Sequence, residues 1–106
     1  MGFIAVYITH ESNAQARPII ETLLAEKAIA CANVFPMESA YWWKGSVARE
    51  GEIVTLVKSR TENWPYLQRR IEEIHPYEVP CVVRFEVEAN PAYEAWIREV
   101  TRPLPA

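Results

Sequence analysis

Phe3-Ile4-Ala5-Val6-Tyr7-Ile8 is an unbroken apolar run of β-branched and aromatic residues near the start of a 106-residue chain. A half-exposed strand would alternate apolar with polar residues, so this run suits a central strand covered on both faces. Downstream, Ala16, Ile20, Leu23, Leu24 and Ala28 recur at helical spacing while Glu21 and Lys27 face away, which predicts a first helix. Ser12 and Gln15 have capping-box spacing, but Pro18 falls beyond the first turn of a helix begun there, so a later start or a kink is expected.

Residues 29–47 are rich in strand formers, interrupted by Pro36-Met37-Glu38-Ser39. A proline cannot donate to a ladder, so this segment reads as an edge strand or a bulge. A turn at Arg49-Glu50-Gly51 and the apolar stretch 52–58 complete a long hairpin. Thr61-Glu62-Asn63 supplies capping residues, with Pro65 in the first turn and Leu67, Ile71 and Ile74 as the stripe of a second helix that His75-Pro76 ends. Past Pro80, Cys81, Val83, Phe85 and Val87 alternate with Val82, Arg84, Glu86 and Glu88, which predicts a strand with its first set in the core and one wet face. Asn90-Pro91 then opens a third helix carrying Tyr93, Trp96, Ile97 and Val100, and Pro103 and Pro105 mark a frayed end.

Strand, helix, strand, strand, helix, strand, helix is the order of an α+β, ferredoxin-like split βαβ sandwich, a single domain over residues 1–106. Two helices cover only one face of its sheet, yet the central strands are apolar on both. A homo-oligomer that packs sheets together is the economical cover for the second face. The composition excludes other classes. Half the residues are apolar and the net charge is −3, so neither disorder nor a phosphate-attracting basic field is expected, and nucleic acid is not a predicted partner. The apolar run is far shorter than a membrane span, and Cys31 and Cys81 lack the dense spacing of a secreted disulfide scaffold, so a soluble, cytoplasmic protein is expected.

Five motifs then carry a resemblance: Ala30-Cys31-Ala32-Asn33-Val34, Tyr41-Trp42-Trp43-Lys44-Gly45, the stretch 52–58, His75-Pro76-Tyr77-Glu78-Val79-Pro80, and Tyr93 with Trp96. In order and spacing they resemble the CutA divalent-cation-tolerance family over almost the whole chain. The resemblance implies a homotrimer built through the long hairpin, a role in tolerance of divalent metals, copper above all, and an architecture like that of the PII signalling proteins, whose trimers bind ligands in clefts between subunits. Three features depart from the family's pattern: the segment 36–40 is one residue shorter, Cys81 stands where many members have Glu, and His10-Glu11 replaces small residues.

Candidate site residues follow from their chemistry. Cys31 offers a thiolate for copper, or is a small buried hydrophobe. His75, Tyr77 and Glu78 lie in a loop stiffened by two prolines, and either line a cleft between subunits, with His75 and Glu78 as metal ligands, or form a helix stop. Cys81 reads as core, and His10-Glu11 as a surface pair. Trp42 and Trp43 point to opposite faces of a strand, so one can enter the core while the other faces solvent, a ligand or a neighbouring subunit, with interface anchoring preferred; in the trimer that the resemblance implies, Tyr41 and Trp42 are assigned to the interface and Trp43 to the ligand cleft. Lys58, if it faces inward, needs an anionic partner or ligand, with Glu52 the candidate, and otherwise marks a solvated strand end; both residues are placed at the cleft. With three scattered glycines and no oriented nucleophile, neither a phosphate loop nor an enzyme is expected, and no organic cofactor. The alternative is an interaction module in which trimerisation itself matters and metal effects are indirect.

Overall fold

A computed structural model describes residues 2–106. Its elements run β1 (Phe3–His10), α1 (Asn13–Ala25), β2 (Cys31–Trp43), β3 (Ser46–Ser59), a short 3-10 turn at Thr61–Asn63, α2 (Trp64–Ile74), β4 (Val82–Val87) and α3 (Pro91–Val100). The four strands form one antiparallel sheet in the order β2-β3-β1-β4, which is the ferredoxin-like arrangement the element order implies.

Ladder register assigns each strand residue to a face. Ile4, Val6 and Ile8 of β1 and Val57 of β3 share one face with Ile19 and Leu23 of α1 and Leu67 and Ile71 of α2, and this cluster is the core. The opposite face carries Phe3, Ala5, Tyr7 and Thr9, with Lys58, Leu56, Val54 and Glu52 beside them on β3. Helix α3 covers one end of that second face: Tyr93 meets Phe3 edge-on at 5.9 Å, and its hydroxyl lies 3.6 Å from the Cys31 sulfur. The rest of the face is open.

Several expectations need correction. Helix α1 starts at Ser12, whose hydroxyl accepts the Gln15 N–H at 3.1 Å, and Pro18 lies inside it. Pro18 deprives the Ala14 carbonyl of its donor, but both residues are exposed, so water satisfies that carbonyl. The stripe of α1 uses Ile19, not Ile20 and Leu24. The hairpin turns at Lys44-Gly45, not at Arg49-Glu50-Gly51: Lys44 (φ +50°) and Gly45 (φ +86°) form a two-residue connection in which both positive φ values match the strand twist. Pro36 does sit on an edge strand, but β2 runs through it without a break in register.

Strand β4 shows its alternation with the faces exchanged. Val82 packs on the core and Arg84 lies over the Trp64 ring at 5.4 Å, whereas Val83 and Phe85 point to the open face and are 42% and 49% exposed. Arg84 reaches the helix side because its stem packs and its guanidinium stacks on an aromatic ring. The chain end is not frayed either. Asn63 leaves its capping position free and instead donates to the Arg102 carbonyl at 2.8 Å and accepts the Leu104 N–H at 2.9 Å, while Arg60 donates to the carbonyls of Arg98 and Thr101. Those bonds satisfy a backbone that two prolines keep out of regular structure.

Candidate functional site

Beyond the last β1 pairing, β2 and β3 continue alone as a two-stranded arm, because β1 meets β3 only from Ile53 to Ser59. Alternate residues of the arm share the open face: Met37, Tyr41 and Trp43 on β2, Glu50 and Glu52 on β3. Where the arm leaves the sheet, the loop between α2 and β4 closes the other side. The result is a cleft of about 660 Å³, lined among others by Tyr7, Met37, Tyr41, Trp43, Glu50, Glu52, Tyr77, Glu78 and Cys81.

The loop is held by histidine. The Thr9 carbonyl can only accept, so its 2.8 Å contact assigns the hydrogen of His75 to Nε2, and Nδ1 then accepts the Tyr77 N–H at 3.1 Å. His75 stacks on His10 at 5.2 Å, and His10 binds the Thr55 hydroxyl at 2.8 Å. His10 is not a surface residue but wholly buried, because it ends β1 on the helix-covered side. Burial and, to a smaller degree, the neighbouring His75 hold its imidazole well below the ordinary value, at about 4.

From that anchor the chain crosses to the open face. The Tyr77 hydroxyl donates to Glu52 Oε2 at 2.8 Å, and burial followed by the Glu52 carboxylate pushes this phenol far up, so it stays a donor. Tyr41 donates likewise to Glu50, a bond that holds its phenol at about 12. Glu52 is only 8% exposed. At the rim, Lys44 pairs with Glu78 at 3.7 Å and stands 5.6 Å above the Trp43 ring.

Of the residues assigned from sequence, Trp43, Glu52, Tyr77 and Glu78 meet in this cleft, with Tyr41 beside them. Trp42 points away on the other side of the arm and is 75% exposed. Lys58 is elsewhere: it binds the Asn33 side chain, and six residues of strand put it roughly 20 Å from Glu52. The proposed metal ligands are not gathered in one chain. Cys31 lies under Tyr93 at the far end of the sheet, Glu78 is on the rim, and both nitrogens of His75 are engaged in holding the loop. Among the described residues no group of three or more His, Cys, Asp or Glu side chains is arranged to hold a metal ion. Cys81, expected in the core, lines the cleft instead, where burial pushes its thiol up.

Met37, Glu50 and Tyr7 were not legible as site residues. Glu50 had a usable signal, since it stands two residues from Glu52 and therefore shares its face once both are placed on one strand. The misplaced turn hid it.

The family model described as "CutA1 divalent ion tolerance protein" matches residues 4–100. The "Divalent-cation tolerance protein CutA" of Pyrococcus horikoshii is 38% identical over 100 residues, covering 93% of this chain and 98% of that protein. Two solved structures are similar throughout. One, titled "Periplasmic divalent cation tolerance protein CutA" from Archaeoglobus fulgidus, has a TM-score of 0.88 at 32% identity, covering 94% of this chain and 98% of that one. The other is a "PII-like protein CutA" from Nostoc sp. PCC 7120, with a TM-score of 0.87 at 31% identity, covering 96% and 99%.

Proposed function

Because this chain belongs to the CutA1 divalent ion tolerance family, we propose that it acts as a homotrimeric responder to divalent cations, copper among them, that takes up its ligand in clefts completed between subunits. One observation carries the reading. The face of the sheet opposite the core leaves Val83 and Phe85 nearly half exposed next to Tyr7, which lines a preformed cleft, and apolar surface of this kind marks interfaces. A copper or other divalent ion then takes donors from more than one subunit, since the described residues of a single chain do not gather three.

The role is binding, not catalysis, in keeping with the tolerance name of the relatives. Two free cysteines, Cys31 and Cys81, suit a reducing cytoplasm. The engagement of both His75 nitrogens favours a second reading, in which trimerisation matters by itself and metal effects are indirect.

Native mass spectrometry of the reduced protein, with and without one equivalent of copper, tests both. A trimer with an integral copper count supports the first reading; a trimer that stays metal-free supports the second, and a monomer rejects both.

A further inference from the structure

The cleft has a chemistry of its own. The carboxylates of Glu50, Glu52 and Glu78 line it, and among the described residues no Lys, Arg or His does. Its walls are the aromatic faces of Tyr7, Tyr41, Trp43 and Tyr77. Glu52 is more than nine-tenths buried, yet its hydrogen-bond partner is a neutral phenol. A buried carboxylate is expensive without a cation.

An independent observation says what such a place accepts. Lys44, from the turn of the arm, already sets its ammonium above the Trp43 ring and beside the Glu78 carboxylate. The chain's own side chain thus sets an alkylammonium group at the rim of the cleft, in the geometry of cation–π recognition. Nearer the sheet, the Glu52 and Glu50 carboxylates are bonded by the phenols of Tyr77 and Tyr41, which pairs carboxylate with aromatic ring as Glu78 and Trp43 do at the rim.

Resting on the reading of the cleft as a ligand site, we propose that its ligand is a small organic cation bearing a primary ammonium group, whose N–H donors bind Glu52 while its alkyl stem lies against the aromatic walls. A nucleotide or other polyanion is repelled by the carboxylates of Glu50, Glu52 and Glu78. A quaternary ammonium fits the aromatic faces but lacks the N–H donors that the buried carboxylate requires. The volume of about 660 Å³ lies in the range of small-molecule sites, which run to roughly 300–1,000 Å³. Lys44 competes at the rim, so its removal strengthens binding.

The test is calorimetric titration of the reduced full-length chain at low salt with 1,5-diaminopentane, tetramethylammonium and ATP as probes. Three proteins are compared: wild type, Glu52→Gln and Lys44→Asn, the last keeping a residue that tolerates the positive φ of the turn. The expected result is saturable binding of the diamine, weaker binding of tetramethylammonium and none of ATP. Affinity should fall tenfold or more in Glu52→Gln and rise several-fold in Lys44→Asn, a gain that mere damage to the fold cannot produce. Equal diamine binding by all three proteins overturns the site; ATP binding, or no binding of the diamine, overturns the ligand class. Native mass spectrometry of the same samples separates the two failures. A trimer that takes up copper but no amine rejects this proposal and leaves the proposed function standing, whereas a monomer rejects the cleft reading itself.

Discussion

On one face of the sheet Ile4, Val6, Ile8 and Val57 are sealed under α1 and α2, and on the other Val83 and Phe85 stand nearly half exposed beside Tyr7. Both faces are apolar, so hydrophobicity alone does not separate them. The difference is what the same chain supplies as cover. Two amphipathic helices serve the first face, while α3 reaches only the Phe3 and Cys31 end of the second. On the proposed trimer reading, a face that is apolar and uncovered in one chain is an unfinished core, and the cleft sits at its border.

The sharpest way to break this contrast is to truncate each face in turn. Ile71→Ala empties a fully buried position and should cost about 2–5 kcal/mol in denaturant unfolding. Phe85→Ala should leave unfolding of the dilute single chain within about 1 kcal/mol of wild type, yet shift the oligomer to smaller mass in sedimentation at matched concentration. Equal losses from both would mean that the two faces are not different in kind.

Acid should act first on the helix-covered side, where His10 is buried. The folded pKa of His10 lies at about 4, below its usual value of 6.5, so the unfolded chain binds more protons in between. Stability from this group is complete above pH 6.5 and is lost as pH falls toward 4, by roughly 3 kcal/mol. Urea unfolding at a series of pH values should show that slope, and His10→Phe should flatten it. The loss should reach the cleft too, because His10 and His75 stack where the loop is anchored.

Smaller effects belong to the arm and the outer surface. Gly45→Ala meets no neighbouring atom but forces φ +86° on an alanine, and should lower stability by about 1 kcal/mol without moving the cleft residues. Arg69→Ala removes an exposed pair with Glu73 and should change thermal unfolding by less than about 0.5 kcal/mol.

The element order, the helical stripe of α2 and the edge position of Pro36 were legible because each depends on local periodicity or on a missing N–H. Which side of β4 meets the core was not. Cys81, Val83 and Phe85 look like core in sequence, and only the third dimension reveals that Val82 and Arg84 turn to the helices. The hairpin turn was misread for a related reason: Arg49-Glu50-Gly51 has turn residues, but the positive φ values fall at Lys44 and Gly45, and lysine gives little warning of that. Trp43, Glu52 and Tyr77 drew notice as functional types in strands or a proline-stiffened loop. Their meeting depends on a register set by the true turn. His10 was lost because a residue at the end of a strand looks the same whether the neighbouring loop folds over it or away.

Sedimentation equilibrium of the reduced protein at micromolar concentration tests the central claim, that the open face is an unfinished core, most directly. The account predicts a single species of three times 12.2 kDa. A stable species of 12.2 kDa, folded and with Phe85 in contact with water, would contradict it.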